Sequence, residues 1–264
     1  RHAYLGSVSY LDDNVGRLLN VLRQCDLDSN TVIVFTTDHG DMLGEHGLWY
    51  KKTFYEYSAR IPLIVSAPQM FASRRVASNV SLVDLLPTLM DLGSPHESPE
   101  TIEPIDGRSL CALMHGDDSS WDNVALSEML AESAIAPLVM LRRDQYKYVF
   151  SAPDPEQLFD LVADPLETNN LVGQPQHESV RASLSTEVKS RWELDSLTED
   201  VLASQRRRLF LREALSTGKR PDWDFHPEDE ASNHCLRGGG VYNEWCYSDI
   251  VGPRRDLKDR YPRP

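Results

Sequence analysis

The run Thr31-Val32-Ile33-Val34-Phe35-Thr36-Thr37-Asp38-His39-Gly40 decides how this chain reads. Its first seven residues are all β-branched or aromatic, which suits a short strand buried on both faces, as in a parallel sheet. Polar ligand-type residues follow at once. In open parallel sheets, ligands gather beyond the carboxyl ends of strands, and Asp38 and His39 stand at that place. Gly40, Gly44 and Gly47 keep the loop compact and let its backbone approach a ligand closely. A carboxylate beside an imidazole suits a divalent cation: the oxygen favours Ca²⁺, Mg²⁺ or Mn²⁺, and the imidazole admits transition metals. Lys51, thirteen positions beyond Asp38, is placed to return as a point charge on a tetrahedral oxyanion. The residues alone leave other readings open: a turn for Asp38-His39-Gly40, a solvated lysine for Lys51, a structural His46 and a loop cap for Asp41.

Upstream, Tyr4, Val8, Leu11, Val15, Leu18, Leu19 and Leu22 recur at steps of three and four, the stripe of an amphipathic helix. Downstream, Ile61-Pro62-Leu63-Ile64-Val65 is a second strand with proline at its start. Ser81 is the expected N-cap of a helix through Leu82, Leu85, Leu86, Leu89 and Met90, ended by Gly93 and kinked at Pro87. Residues 94–122 read as loop with one short helix. Val139-Met140-Leu141 and Tyr146-Lys147-Tyr148-Val149-Phe150 flank Arg142-Arg143-Asp144-Gln145 as a hairpin, and Gln157 to Leu161 adds a third strand. One charged amphipathic helix is expected from His177 to Ser216. From Thr217 the chain turns rich in Pro, Gly and aromatic residues.

The expected fold class is therefore α/β. Residues 1–125 form the C-terminal part of a mostly parallel sheet sandwiched by helices, 126–216 a small antiparallel sheet with a packed helix, and 217–264 an extended tail.

The 264 residues carry 41 acidic against 27 basic side chains, a formal charge of −14, and such a surface disfavours nucleic-acid binding. No apolar run of about 18 residues is present, so no bilayer-spanning helix is expected. The four cysteines, Cys25, Cys111, Cys235 and Cys246, form no CxxC pair and no zinc spacing. They read as reduced thiols of a cytoplasmic protein, with a Cys235–Cys246 disulfide as the alternative in the tail. The opening Arg1-His2-Ala3-Tyr4 shows neither a signal peptide nor an initiator Met, and further chain is expected before it.

The stretch TTDHGDMLGEHGLWYKKTFYEYSARIPLIVSAP, residues 36–68, resembles the second signature of the sulfatases of the alkaline phosphatase superfamily. The resemblance continues through SLVDLLPTLMDLG (81–93) and QLFDLVADPLETNNLV (157–172). Within that family APLVMLRR (136–143), Lys147-Tyr148 and the tail ending DLKDRYPR (256–263) are similar to choline-sulfatases, whereas HCLRGGGVYNEWCYSD (234–249) departs from the usual tail.

The resemblance implies hydrolysis of a sulfate monoester, choline O-sulfate first among candidates, with Asp38 and His39 as metal ligands for Ca²⁺, or else Mg²⁺ or Mn²⁺. It makes Lys51 the catalytic lysine on the sulfate oxygens; the neighbouring Lys52 competes, and Lys51 is preferred because it stands five before Glu56. The family's nucleophile is a cysteine in a C-x-P-S-R-like motif, oxidised to formylglycine. None of the four cysteines sits in one, so the chain is expected to be a C-terminal part that lacks the nucleophile segment and is inactive alone. Asp256, with the tail aromatics Trp223, Tyr242, Trp245 and Tyr247, is the candidate for holding a quaternary ammonium; the aromatics also read as packing anchors. The tail is further expected to mediate homo-oligomer contacts. Two alternatives remain open: a phosphonate or phosphate monoester hydrolase of the same superfamily, and an inactive binding or assembly module.

Overall fold

The stripe of apolar residues near the N-terminus forms helix α1 (His2–Gln24), and the β-branched run forms strand β1 (Ile33–Thr36). The computed structural model describes residues 1–94, 101–130 and 134–218. After β1 come a hairpin of β2 (Met42–Leu43) and β3 (Trp49–Tyr50), the single turn α2 (Glu56–Ala59) and strand β4 (Leu63–Ser66). Helix α3 (Leu85–Gly93) and the short α4 (Cys111–His115) follow. Strands β5 (Val124–Met129), β6 (Leu138–Arg143), β7 (Tyr146–Ser151) and β8 (Gln157–Asp160) precede helices α5 (Glu178–Arg191) and α6 (Leu194–Ser216). Two compact units divide the chain, Arg1–Arg206 and Arg207–Pro264.

The α/β class holds, but the strand direction near the N-terminus differs from the expectation. β4 pairs with β1 antiparallel, with Ile33 opposite Ser66 and Thr36 opposite Leu63, and every strand pair among the described residues is antiparallel. A continuous apolar run records covered faces and says nothing about a neighbour's direction. A parallel return usually runs through a full crossover helix; here the 26 residues between the strands (37–62) hold only a hairpin and the four-residue α2, and the chain comes back antiparallel. The faces are not sealed either. The apolar stripe of α1 faces β1 and β4 across a cavity of about 530 Å³ lined by Val8, Leu11, Leu19, Ile33, Phe35 and Ile64.

Ser81 and Asp84 form a reciprocal capping box, the Ser81 N–H donating to Asp84 Oδ2 at 2.8 Å. Pro87 does not kink the helix, because it falls in the first turn of α3, where no intrahelical donor is required. The β6–β7 hairpin turns on Asp144 and Gln145 alone, with Asp144 at φ +52°. Strand β5 is absent from the sequence reading. The single helix expected over 177–216 is two, because Trp192 adopts an extended conformation between them. Its indole Nε1 donates to Glu128 Oε2 of β5 at 3.0 Å. The four-stranded sheet, in order β5-β6-β7-β8, carries the main core: Val139, Leu141, Tyr148, Leu158 and Leu171 against Leu184 and Val188 of α5.

Candidate active site

Asp38 and His39 follow directly on the end of β1, as the sequence places them. The Asp38 carboxylate is 79% exposed and His39 33%. The His39 ring Nδ1 stands 2.8 Å from the Gly40 carbonyl oxygen, a contact that needs a proton on Nδ1 and turns Nε2 toward Asp38. Nε2 lies 3.4 Å from Asp38 Oδ2, so nitrogen and oxygen face one space. This is the arrangement in which a metal-ligating histidine is oriented by a backbone carbonyl on its other nitrogen. Desolvation pushes the Asp38 carboxyl up, but hydrogen bonds from the Thr37 hydroxyl and the His39 N–H, with the nearby imidazole, hold it below the usual carboxylate range. An anionic oxygen beside an imidazole nitrogen fits a divalent cation. It fits as part of a shell, because no group of three or more His, Cys, Asp or Glu stands together among the described residues.

A Cβ on Gly40 would lie 2.2 Å from the Tyr57 carbonyl oxygen, so glycine is required here for a close approach to the protein's own backbone. The Gly40 N–H donates to the Ser58 carbonyl at 2.8 Å. Ser58, 2% exposed, also donates its hydroxyl to the Lys51 carbonyl at 2.8 Å. One buried serine therefore ties the Asp38–His39 segment to the lysine segment. Tyr50, at φ +70°, turns the chain sharply just before Lys51, and Lys51 and Lys52 are both exposed. His46 stacks on Tyr55 with ring centroids 4.1 Å apart, and its Nε2 is 3.0 Å from the Leu166 carbonyl, which makes it structural. Asp256 and the tail aromatics lie outside the described residues.

Sequence reading missed a buried charge cluster beneath this loop. Lys147 of β7, 1% exposed, reaches Glu56 Oε1 at 2.6 Å and donates to the Phe54 carbonyl at 2.8 Å. It also stands 2.7 Å from Glu167 Oε1, an ionic contact without hydrogen-bond alignment. Glu167 Oε2 accepts the Glu56 N–H at 2.6 Å, and Arg142 Nη1 lies 3.2 Å from Glu56 Oε2. The signal available was a lysine between two tyrosines near the start of a largely apolar strand.

A family model described as sulfatase matches residues 1–94, and one described as choline sulfatase enzyme C terminal matches residues 199–245. The chain belongs to the sulfatase family. It is 40% identical over 241 residues to the choline-sulfatase of Rhizobium meliloti (strain 1021), covering 90% of this chain and 46% of that relative. Among solved structures it is similar to a protein in complex with its substrate D-glucosamine-2-N,6-O-disulfate (TM-score 0.60, 30% identity, 75% of this chain and 40% of that one). It is also similar to the phosphonate monoester hydrolase of Agrobacterium radiobacter (TM-score 0.63, 28% identity, 71% and 40%). The chain thus spans less than half the length of each of these proteins.

Proposed function

We propose that this chain forms part of a sulfuric ester hydrolase that cleaves a sulfate monoester, with choline O-sulfate as the first candidate substrate. The observation that carries the reading is the Asp38–His39 pair, with Oδ2 and Nε2 facing one space and Ser58 tying it to the Lys51 segment. The likeness to the Rhizobium meliloti choline-sulfatase supports the substrate.

In this reading Asp38 and His39 hold a divalent cation, Ca²⁺ before Mg²⁺ or Mn²⁺, which supplies charge stabilisation to the sulfuryl oxygens. The Nδ1–H bond to Gly40 keeps the imidazole in the ligating tautomer. The Lys51 ammonium meets the negative charge that grows on the ester oxygen as it departs. Since none of the four cysteines lies in a C-x-P-S-R motif, the formylglycine nucleophile comes from a segment outside this sequence, and this chain alone does not turn over. Asp256 and the tail aromatics are the proposed ammonium site, and the tail the proposed contact between copies of a cytoplasmic oligomer. Similarity to a phosphonate monoester hydrolase favours a second reading, hydrolysis of a phosphonate or phosphate monoester at the same residues.

The test is sulfate release from choline O-sulfate by the full-length protein, with a phosphonate monoester in parallel. Asp38→Asn, His39→Ala and Lys51→Ala should each lower the rate by about a hundredfold or more. Faster cleavage of the phosphonate would replace the first reading with the second, and cleavage of neither would overturn both.

A further inference from the structure

Lys147 and Glu167 are the most deeply buried charged side chains of the described residues, and three oxygens surround the ammonium within 2.8 Å: the Phe54 carbonyl, which accepts a hydrogen bond, and Glu56 Oε1 and Glu167 Oε1, which make ionic contacts. Burying an ammonium is costly, and an apolar side chain of similar volume would satisfy the core as well or better. What the ionic cluster adds is direction. Lys147 grips the segment 54–56 from the sheet, and Glu167, held at φ +56°, accepts the Glu56 N–H and fixes the first residue of α2. From α2, the Ser58 hydroxyl donates to the Lys51 carbonyl, and the Ser58 carbonyl accepts the Gly40 N–H. The charges balance: two carboxylates face Lys147 and Arg142.

We propose that Lys147, with Glu56 and Glu167, is a positioning device that sets the lysine segment against the Asp38–His39 pair through α2 and Ser58. The proposal rests on the reading of Lys51 as the group that meets the substrate. Lys147 itself touches no reacting atom.

The test uses the full-length protein with Lys147→Met, Glu167→Gln and the double variant Lys147→Met/Glu167→Gln. The double variant leaves Glu56 paired to Arg142 and removes the uncompensated buried carboxylate, so it should regain thermal stability. Amide exchange of residues 51–58 should rise about tenfold or more in both Lys147→Met forms, with exchange in β6 and β7 unchanged in the double variant. In the same forms kcat should drop on the order of a hundredfold while KM moves far less, because the loss is one of alignment. Should Lys147→Met alone fail to fold, Glu167→Gln and the double variant carry the same comparison. Recovery of both loop protection and kcat in the double variant, or exchange that rises equally across the sheet, would overturn the proposal and leave the cluster purely structural. If wild-type protein hydrolyses no sulfate ester, the functional reading fails, and the exchange pattern alone then decides whether the device exists.

Discussion

Replacing Gly40 by alanine sets two effects of opposite sign against each other. Gly40 is not among the residues at positive φ, so alanine suits its backbone and should stabilise by about 0.4–1 kcal/mol through the unfolded chain. Against this, the added methyl would meet the Tyr57 oxygen at 2.2 Å and its carbonyl carbon at 3.1 Å, more than an ångström inside ordinary contact with the oxygen. The obstacle is backbone, and it cannot swing away as a side chain would. Ser58 and Ala59 both donate to Tyr55, and the Gly40 N–H bond to Ser58 draws the two segments together. Separating them costs about 1–3 kcal/mol of overpacking strain, and losing the Gly40–Ser58 bond costs about 1 kcal/mol more. The steric term wins, and Gly40→Ala should destabilise by about 1–4 kcal/mol net. Urea denaturation followed by fluorescence reads this directly, with Gly16→Ala on α1 as control, since nothing stands within 4 Å of a Cβ there. The control should be neutral or gain up to about 1 kcal/mol. A Gly40→Ala protein as stable as wild type would refute the reasoning, because it would mean the two segments do not sit as close as described.

Other consequences are equally direct. Leu158 is fully buried among Tyr148, Leu184 and Val188, and Leu158→Ala should cost about 2–5 kcal/mol in the same denaturation experiment. Glu187 accepts two hydrogen bonds from Arg143 and further ones from Arg191, and the Arg143 bonds chiefly hold its carboxyl below its ordinary 4.5. Because the folded value is the lower one, the contribution of about 1–2 kcal/mol is present above pH 4.5 and lost as pH falls below it. Stability curves of wild type and Glu187→Gln should therefore converge in acid; parallel curves would exclude the linkage. Burial pushes the Tyr148 hydroxyl up, and its Oη has no aligned hydrogen bond despite Ser185 and Glu156 nearby. Tyr148→Phe should thus change thermal stability by less than about 1 kcal/mol, and a larger loss would reveal a hydrogen bond to that oxygen.

The place of Asp38 and His39 just past the end of β1 was legible because the chemistry changes abruptly at Asp38, where a β-branched run stops and ligand-type residues begin. The β6–β7 hairpin was legible for a similar reason, since a polar turn separates two apolar runs. Strand direction was not, because Ile33 to Thr36 would look the same beside a parallel or an antiparallel neighbour. The break at Trp192 was hidden because the residues on both sides of it suit a helix, and only the indole bond to Glu128 shows why the chain leaves it. Lys147 and Glu167 were hidden for a deeper reason. A charged residue is ordinarily read as facing water, and its burial follows only from partners at distances of 93 and 111 positions along the loop they clamp.

Those separations also have a consequence in time. The β5-β6-β7-β8 meander joins strands that follow one another in the chain, a local topology that forms quickly. The lysine segment, by contrast, is made well before Lys147 and Glu167 exist to grip it. At about 5–20 residues per second of synthesis, it waits roughly 5–20 s for its clamp. A slow stretch of translation between Phe54 and Glu167 would lengthen that interval, and the loop around Lys51 would stay unclamped in the meantime.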